Sequence, residues 1–238
     1  MDNAFERTGM DRSLPHIGVI MDKCDTADYP KYGLPPGFTF SCYKPGLERL
    51  WISQKVAVGE FDNAVDAESV FKKEFLYGEP IDWLNFTHSK IDPDEIRSAP
   101  RYNDLTKKMV FILDEGGDIA ATGSIWDGSH FGETRRRLHW ISVAPKYQNR
   151  GLSKVLVSKL LDIYNELGYS GYIYLTSQTW SYKALNVYSH FGFKPYMGEK
   201  PVNWEASDVM TGEPCDYRAK NIEAWNLIND KLNQYNRR

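Results

Sequence analysis

Apolar residues along this chain recur with a period of two in some stretches and of 3.6 in others, and the sharpest change of period falls between Leu138 and Leu167. Leu138-His139-Trp140-Ile141-Ser142-Val143 alternates as a strand, and Pro145, which cannot donate to a ladder, stops it. After the turn Gln148-Asn149-Arg150-Gly151-Leu152-Ser153, the residues Leu152, Val155, Leu156, Leu160, Ile163, Tyr164 and Leu167 recur at helical spacing, with Lys159 the polar member of the stripe and Gly168 the stop. A helix therefore starts directly out of the turn. His139 shares the parity of Ile141 and Val143, so an uninterrupted strand points these three to one face and Trp140 to the other, beneath a helix.

The remaining elements follow from the same patterns. Residues 1–36 read as an N-terminal extension, with one apolar run at Ile17–Met21 and a turn-rich close at Leu34-Pro35-Pro36-Gly37. Phe38 to Tyr43 alternates as a first strand. Pro45-Gly46 leads into a helix over about Leu47 to Gln54, and a second helix around Ala67 to Phe75 buries Val70, Phe71 and Phe75. Val56 to Phe61, between them, is ambiguous. Residues 78–102 are rich in Pro, Asp, Asn and Ser, with Trp83, Phe86 and His88 scattered among them, and read as a loop insertion that could cover an acceptor. Lys108–Leu113 and Ile119–Trp126 form a hairpin around Asp114–Asp118. Tyr172–Thr176 reads as a strand, Ser181–His190 as a short helix, and Gly192-Phe193-Lys194-Pro195 as the start of another strand. Residues 201–238 form a C-terminal strand/helix extension. From Tyr217 on, Ile222, Trp225, Ile228, Leu232 and Tyr235 lie on one helical stripe, for docking on the domain or, as the alternative, for a dimer contact.

The turn at 148–153 carries the chemistry. The first N–H groups of a helix lack intrahelical partners and the helix dipole adds positive charge there, so an anion fits. Gly151 admits a bulky group close to the backbone, and Gln148, Asn149, Arg150 and Ser153 offer further donors. The spacing is neither GxxxxGK[ST] nor GxGxxG, which argues against a triphosphate clamp and a dinucleotide fingerprint. It resembles the Q/R-x-x-G-x-G/A pyrophosphate loop of the GCN5-related N-acetyltransferase (GNAT) superfamily, with Ser153 in place of the last small residue. Ala184, Tyr188 and Gly192-Phe193 match a second pattern of that family, A-x-x-x-Y-x-x-x-G-F, in the expected order.

That resemblance implies an α/β (α+β) fold, a mixed central sheet of six to seven strands flanked by helices, over residues 37–200. It implies an acetyl-coenzyme A dependent N-acetyltransferase acting on a primary amine by direct attack in a ternary complex. The co-substrate would be held by Ile141, Ser142, Val143, Gln148, Asn149, Arg150, Gly151, Leu152, Ser153, Thr176 and Ser181, with the Val143 N–H donating to the developing oxyanion. Tyr188 matches the tyrosine that protonates the leaving thiolate; a phenol at about 10 and a thiol at about 8.5 are close enough for transfer. Packing in the core is its other reading. His139 stands where arylalkylamine acetyltransferases carry a histidine and is the candidate base, a structural histidine being the alternative. Arg137 stands where many relatives have a glutamate, and arginine cannot act as a base, so a non-catalytic acyl-coenzyme A binding or sensing module is the second reading. The connection after the first helix places Glu60 and Phe61 near the acceptor, unless Phe61 is buried for packing alone. Trp126 and Trp180 could line an apolar or aromatic amine pocket, or serve the core.

Composition narrows this further. The 238 residues suffice for one substantial core, and 42% hydrophobic content is ordinary for a globular protein. With 29 Lys plus Arg against 32 Asp plus Glu, no basic surplus points to nucleic acid. Arg135-Arg136-Arg137 reads as a solvated loop, with contact to a 3′-phosphate or an acidic acceptor as the other possibility. Cys24, Cys42 and Cys215 are odd in number and far apart, which fits neither a disulfide framework nor a metal site and suits a reducing cytoplasm. The start Met1-Asp2-Asn3 lacks a signal peptide's apolar core, and no apolar run is long enough for a membrane span. The expected partner is a small-molecule or peptide amine, and the expected state a monomer or homodimer.

Overall fold

A computed structural model describes residues 9–83, 85–204 and 216–235. Seven strands, β1 (Gly18–Lys23), β2 (Phe38–Cys42), β3 (Met109–Asp114), β4 (Ile119–Gly128), β5 (Arg135–Val143), β6 (Ile173–Gln178) and β7 (Lys194–Pro195), bond in the order β2-β3-β4-β5-β6-β1-β7. The sheet is mixed, with β2–β3, β3–β4, β1–β6 and β1–β7 antiparallel and β5–β6 parallel. The helices are α1 (Leu47–Ala57), α2 (Ala64–Val70), α3 (Tyr102–Lys108), α4 (Leu152–Glu166), α5 (Tyr182–Ser189) and α6 (Tyr217–Tyr235). The chain divides into two compact units: an α4 unit of Lys31–Ser124 and Trp140–Ile163, and a β6 unit of Met1–Pro30, Ile125–His139 and Tyr164–Arg238.

In the α4 unit, aromatic rings from α1 and from the π turn that follows α2 build the core. Trp51 is fully buried, with its ring edge-on to Phe71 at 5.2 Å and Phe75 at 5.6 Å. Asn63 caps α2 by accepting from the Asp66 amide at 2.9 Å. The helix then widens into a π turn over Phe71–Tyr77, which Gly78 ends at φ +70°. The apolar face of α4 is wider than one stripe, because Val157 and Leu161 are buried alongside Leu156 and Leu160. Gly123 lets β4 come this close to it, since a Cβ there would sit 2.8 Å from Ile141 and 3.0 Å from Leu160.

In the β6 unit, β1 pairs with β6 along its whole length, from Gly18↔Gln178 to Lys23↔Ile173, and with β7 at Met21↔Pro195. The apolar run near the N-terminus is therefore a strand of the sheet. Helix α6 docks on its own unit, against α5, β1 and the 3₁₀ turn Thr179–Ser181. Its buried stripe is Asn221, Ala224, Trp225 and Ile228, while Ile222 and Tyr235 are exposed. Lys231 of α6 pairs with Asp11 at 2.9 Å, tying both ends of the chain together.

Two expectations are corrected. Arg135-Arg136-Arg137 is not a solvated loop; it opens β5, because each charge finds a partner. Arg136 pairs with Asp127 at 2.5 Å, and Arg135 pairs with Glu133 at 2.7 Å while lying over the rings of Phe131 and Tyr172. Lys108 does not begin a strand; it ends α3, where Asp104 accepts from Arg101 and Lys108 at 2.8 and 2.7 Å on one helical face. Cys24 and Cys42 are exposed free thiols. Cys215, Met1-Asp2-Asn3, the middle of the C-terminal extension and the last three residues lie outside the described residues.

A Cβ at Gly128 would meet the buried Tyr174 hydroxyl at 1.9 Å and its ring carbon at 2.9 Å. Gly128→Ala is expected to destabilise the protein by about 1–3 kcal/mol, as overpacking does, which denaturant unfolding reads directly.

Candidate active site

The turn before α4 is anchored at its start and open at its apex. Ala144 donates to the Ala120 carbonyl at 2.8 Å, the Tyr147 hydroxyl donates to Asp114, and the Tyr147 ring stands edge-on to Phe38 at 5.6 Å. Asn149 at φ +62° and Gly151 at φ +75° then turn the chain twice before α4 begins at Leu152. A Cβ on Gly151 would meet nothing within 4 Å. Among the described residues nothing accepts from the main-chain amides of 149–153; the first amides turned inward are those of Lys154 and Val155, to the Gly151 carbonyl at 3.0 and 3.3 Å. Asn149 and Arg150 are exposed, Gln148 and Ser153 half-buried and Leu152 buried. The Arg150 guanidinium lies 5.6 Å over the Tyr147 ring. Uncapped amides, a helix N-terminus and one exposed cation with open space around the glycine fit a diphosphate.

The strand feeding this turn is broken in the middle. Trp140 has φ +49°, a conformation that costs a bulky residue on the order of 1–3 kcal/mol and persists only where its surroundings hold it. Its indole N–H donates to Glu74 at 2.8 Å, and its ring stacks on Phe61 at 5.3 Å and meets Trp51 edge-on at 5.7 Å. Uninterrupted alternation therefore does not describe β5. Beyond the break Ile141 faces Leu156 and Leu160, while Ser142 faces α1 and Val143 is half-buried. Phe61 is buried as packing for Trp140, and Glu60 beside it is exposed.

Lys55 on α1 supports the same break. Its side chain is wholly buried, and Nζ donates to the Trp140 carbonyl at 2.6 Å and to Ser142 Oγ at 2.8 Å, between the ring faces of Trp51 and Trp140 at 5.4 and 5.5 Å. Gln54 adds a long bond to the Ser142 carbonyl at 3.4 Å. Burial pushes the Lys55 ammonium down to about 7, and the Glu60 carboxylate only partly offsets it. Sequence reasoning passed over this lysine. The signal was present, because Trp51, Gln54, Lys55 and Val58 share one helical face, but a lysine at such a position is ordinarily solvated.

In the β6 unit, the parallel β5–β6 ladder runs from Arg136↔Ile173 to Leu138↔Leu175. An Arg137 guanidinium nitrogen lies 3.2 Å from His139 Nε2. Arginine has no acceptor, so Nε2 accepts and the ring proton sits on Nδ1. Tyr188 is buried on α5, its ring 6.2 Å from Phe193. Trp180 is held by the N-terminal segment, donating to the Leu14 carbonyl at 2.7 Å with His16 edge-on at 4.6 Å. Ser181 accepts from Gln178 at 3.1 Å, Thr176 is half-buried in β6, and Trp126 is buried in β4. The α4 unit thus gathers Phe61, Ile141, Ser142, Val143 and the turn, while His139 and Trp180 are each engaged by neighbours within the β6 unit. Among the described residues no His, Cys, Asp or Glu group could hold a metal, and no helix is long and apolar enough to cross a membrane.

Residues 78–193, just under half of the chain, match the family model Acetyltransferase (GNAT) family. Among solved structures, the GCN5-related N-acetyltransferase from Sphaerobacter thermophilus superposes with a TM-score of 0.50 at 14% identity, covering 76% of this chain and 49% of that one. The GCN5-related N-acetyltransferase from Kribbella flavida reaches 0.43 at 13% identity, covering 79% of this chain and 56% of that one. The chain spans about half the length of these proteins. No curated protein sequence matches it.

The folded-state pKa of Lys55, about 7, lies below the ordinary 10.5, so between these values the unfolded chain binds the extra proton and stability rises with pH. Urea unfolding at pH 7.5 and 9.5 is expected to show a wild-type gain that Lys55→Met lacks, by up to about 1.4 kcal/mol per pH unit. Equal pH dependence in the two proteins would place Lys55 in water.

Proposed function

We propose that this protein is an N-acetyltransferase that transfers an acetyl group from acetyl-coenzyme A to a primary amine by direct attack in a ternary complex. The observation that carries this reading is the open, uncapped turn at Gly151, set between a strand and a long helix in a GNAT domain. Acetyl-coenzyme A would supply the activated thioester. The amides of 149–153 and the Arg150 guanidinium bind its diphosphate, and Ile141–Val143 receive the adjoining chain, with the Val143 N–H donating to the acyl oxygen as negative charge builds there. Thr176 and Ser181 are the further co-substrate residues of this reading. Tyr188 gives its hydroxyl proton to the departing sulfur, and His139 takes the proton released by the amine. Glu60, Phe61, Trp126 and Trp180 are the acceptor-side residues of this reading. The expected setting is cytoplasmic, with a small-molecule or peptide amine as acceptor.

One observation favours a second reading. Because Arg137 occupies His139 Nε2, that nitrogen takes a proton only when the guanidinium moves off it. A non-catalytic module that binds or senses acyl-coenzyme A would keep the turn and forgo the base.

Acetyl-coenzyme A at 100 times its Kd is expected to stabilise the protein by about 2.7 kcal/mol, read as a rise in Tm. Arg150→Ala should weaken binding roughly tenfold, the worth of one charge-assisted hydrogen bond. Absence of any shift at millimolar concentration rejects both readings. With an amine panel, thiol release supports the transferase, and a Tm shift without thiol release supports the sensor. In an active enzyme Tyr188→Phe should lower kcat at least tenfold. His139→Ala should lower the limb of the rate that rises with pH while leaving the Tm shift intact; an unchanged pH profile takes His139 out of the mechanism.

A further inference from the structure

We infer that Lys55 is a positioning residue for the proposed transfer: its Nζ, bonded to the Trp140 carbonyl and the Ser142 hydroxyl, holds the break in β5 and so sets the course of Ile141–Val143. The inference rests on the transferase reading for its purpose, and on geometry for its content. Trp140 sits at a φ that bulky residues avoid, and three of its contacts hold only the side chain: Glu74 on the indole, Phe61 on the ring face and Trp51 on the edge. Lys55 instead grips the main chain at the break. Two residues on it also holds Ser142, and Gln54, its neighbour on α1, reaches the Ser142 carbonyl. Helix α1 is therefore bonded to both ends of the Trp140–Ser142 segment, immediately before the strand enters the turn.

The surroundings of Nζ also decide its charge. A neutral amine has two N–H groups and an ammonium three, and Nζ meets two acceptors, its remaining neighbours being ring faces. Among the described residues no carboxylate bonds to it. Among acidic groups nearby, Glu60 lies in the turn after α1 and is exposed, and Glu74, from the π turn, is spent on the Trp140 indole; β5 contributes no titratable group at Trp140 or Ser142. The Trp51 and Trp140 faces favour an ammonium, but complete burial strips its hydration, and that cost favours the neutral amine. Raising the pH through neutrality thus tightens the hold on β5.

The test follows the lysine and the strand separately in the ligand-free protein by NMR, with ¹³Cε-labelled lysine and ¹⁵N-labelled backbone. One lysine, assigned by its loss in Lys55→Met, should titrate near 7. The amide shifts of Ile141, Ser142 and Val143 should follow the same midpoint. Ser142→Ala, which removes one acceptor without enlarging a buried side chain, should lower that midpoint and move the same amides. With acetyl-coenzyme A and an arylamine acceptor, which stays unprotonated across the range, kcat should rise through the Lys55 midpoint, and Ser142→Ala should shift that limb together with the midpoint read by NMR. Titration of Lys55 near its ordinary 10.5, or amides of 141–143 indifferent to it or to Ser142→Ala, overturns the inference. A wild-type protein that passes the NMR tests yet neither binds acetyl-coenzyme A nor releases thiol overturns the transferase reading and leaves Lys55 as the hold on β5 alone.

Discussion

A tryptophan kept at a left-handed φ is the constraint around which the α4 unit is organised. Strand β5 begins as a ladder partner of β6 and ends by delivering the chain to the turn before α4, and the two tasks meet at Trp140. The strain at that residue is offset by a packed aromatic group of Trp51, Phe61, Phe71 and Phe75, and by hydrogen bonds from Lys55 and to Glu74. Helix α1 supplies Trp51 and Lys55, and the π turn after α2 supplies Phe71, Glu74 and Phe75. Placing a lysine nitrogen among them is costly unless it sheds its proton, and its lowered pKa is the visible sign of that cost.

Downstream of the break the physics is simpler. Tyr147 and Ala144 anchor the base of the turn to neighbouring strands, so Asn149 and Gly151 can adopt positive φ without the loop collapsing onto protein. The amides left over are those every helix start leaves unpaired. Here nothing among the described residues caps them, and the broad apolar face of α4 fixes their direction by burying Leu152, Val155 and Leu156 just behind them. Rigid backing and a polar, uncapped front are what recognition of an anionic group requires.

Much of this was legible in the sequence because period-two and period-3.6 patterns are local. The hairpin at Asp114–Asp118, the helix out of Leu152 and the strand at Phe38 depend on neighbours a few residues apart. What escaped depends on distant partners. Arg136 enters a strand because Asp127 neutralises it, and the pairing of Gly18–Lys23 with β6 spans some 150 residues of chain. The left-handed Trp140 and the buried Lys55 define each other, and neither shows its conformation in an alternating pattern or a helical stripe. The sequence left Trp180 open between an amine pocket and the core, because the segment that engages it, from Leu14 to His16, carries no periodic signal.

Whether the turn before α4 grips a diphosphate is the question on which the functional reading turns, and a backbone ¹H–¹⁵N titration with coenzyme A, which carries the diphosphate without the acyl group, answers it residue by residue. Binding at this turn predicts the largest shifts at the amides of Arg150, Gly151, Leu152 and Ser153. Saturation with those four amides unmoved, or no binding at all, contradicts it.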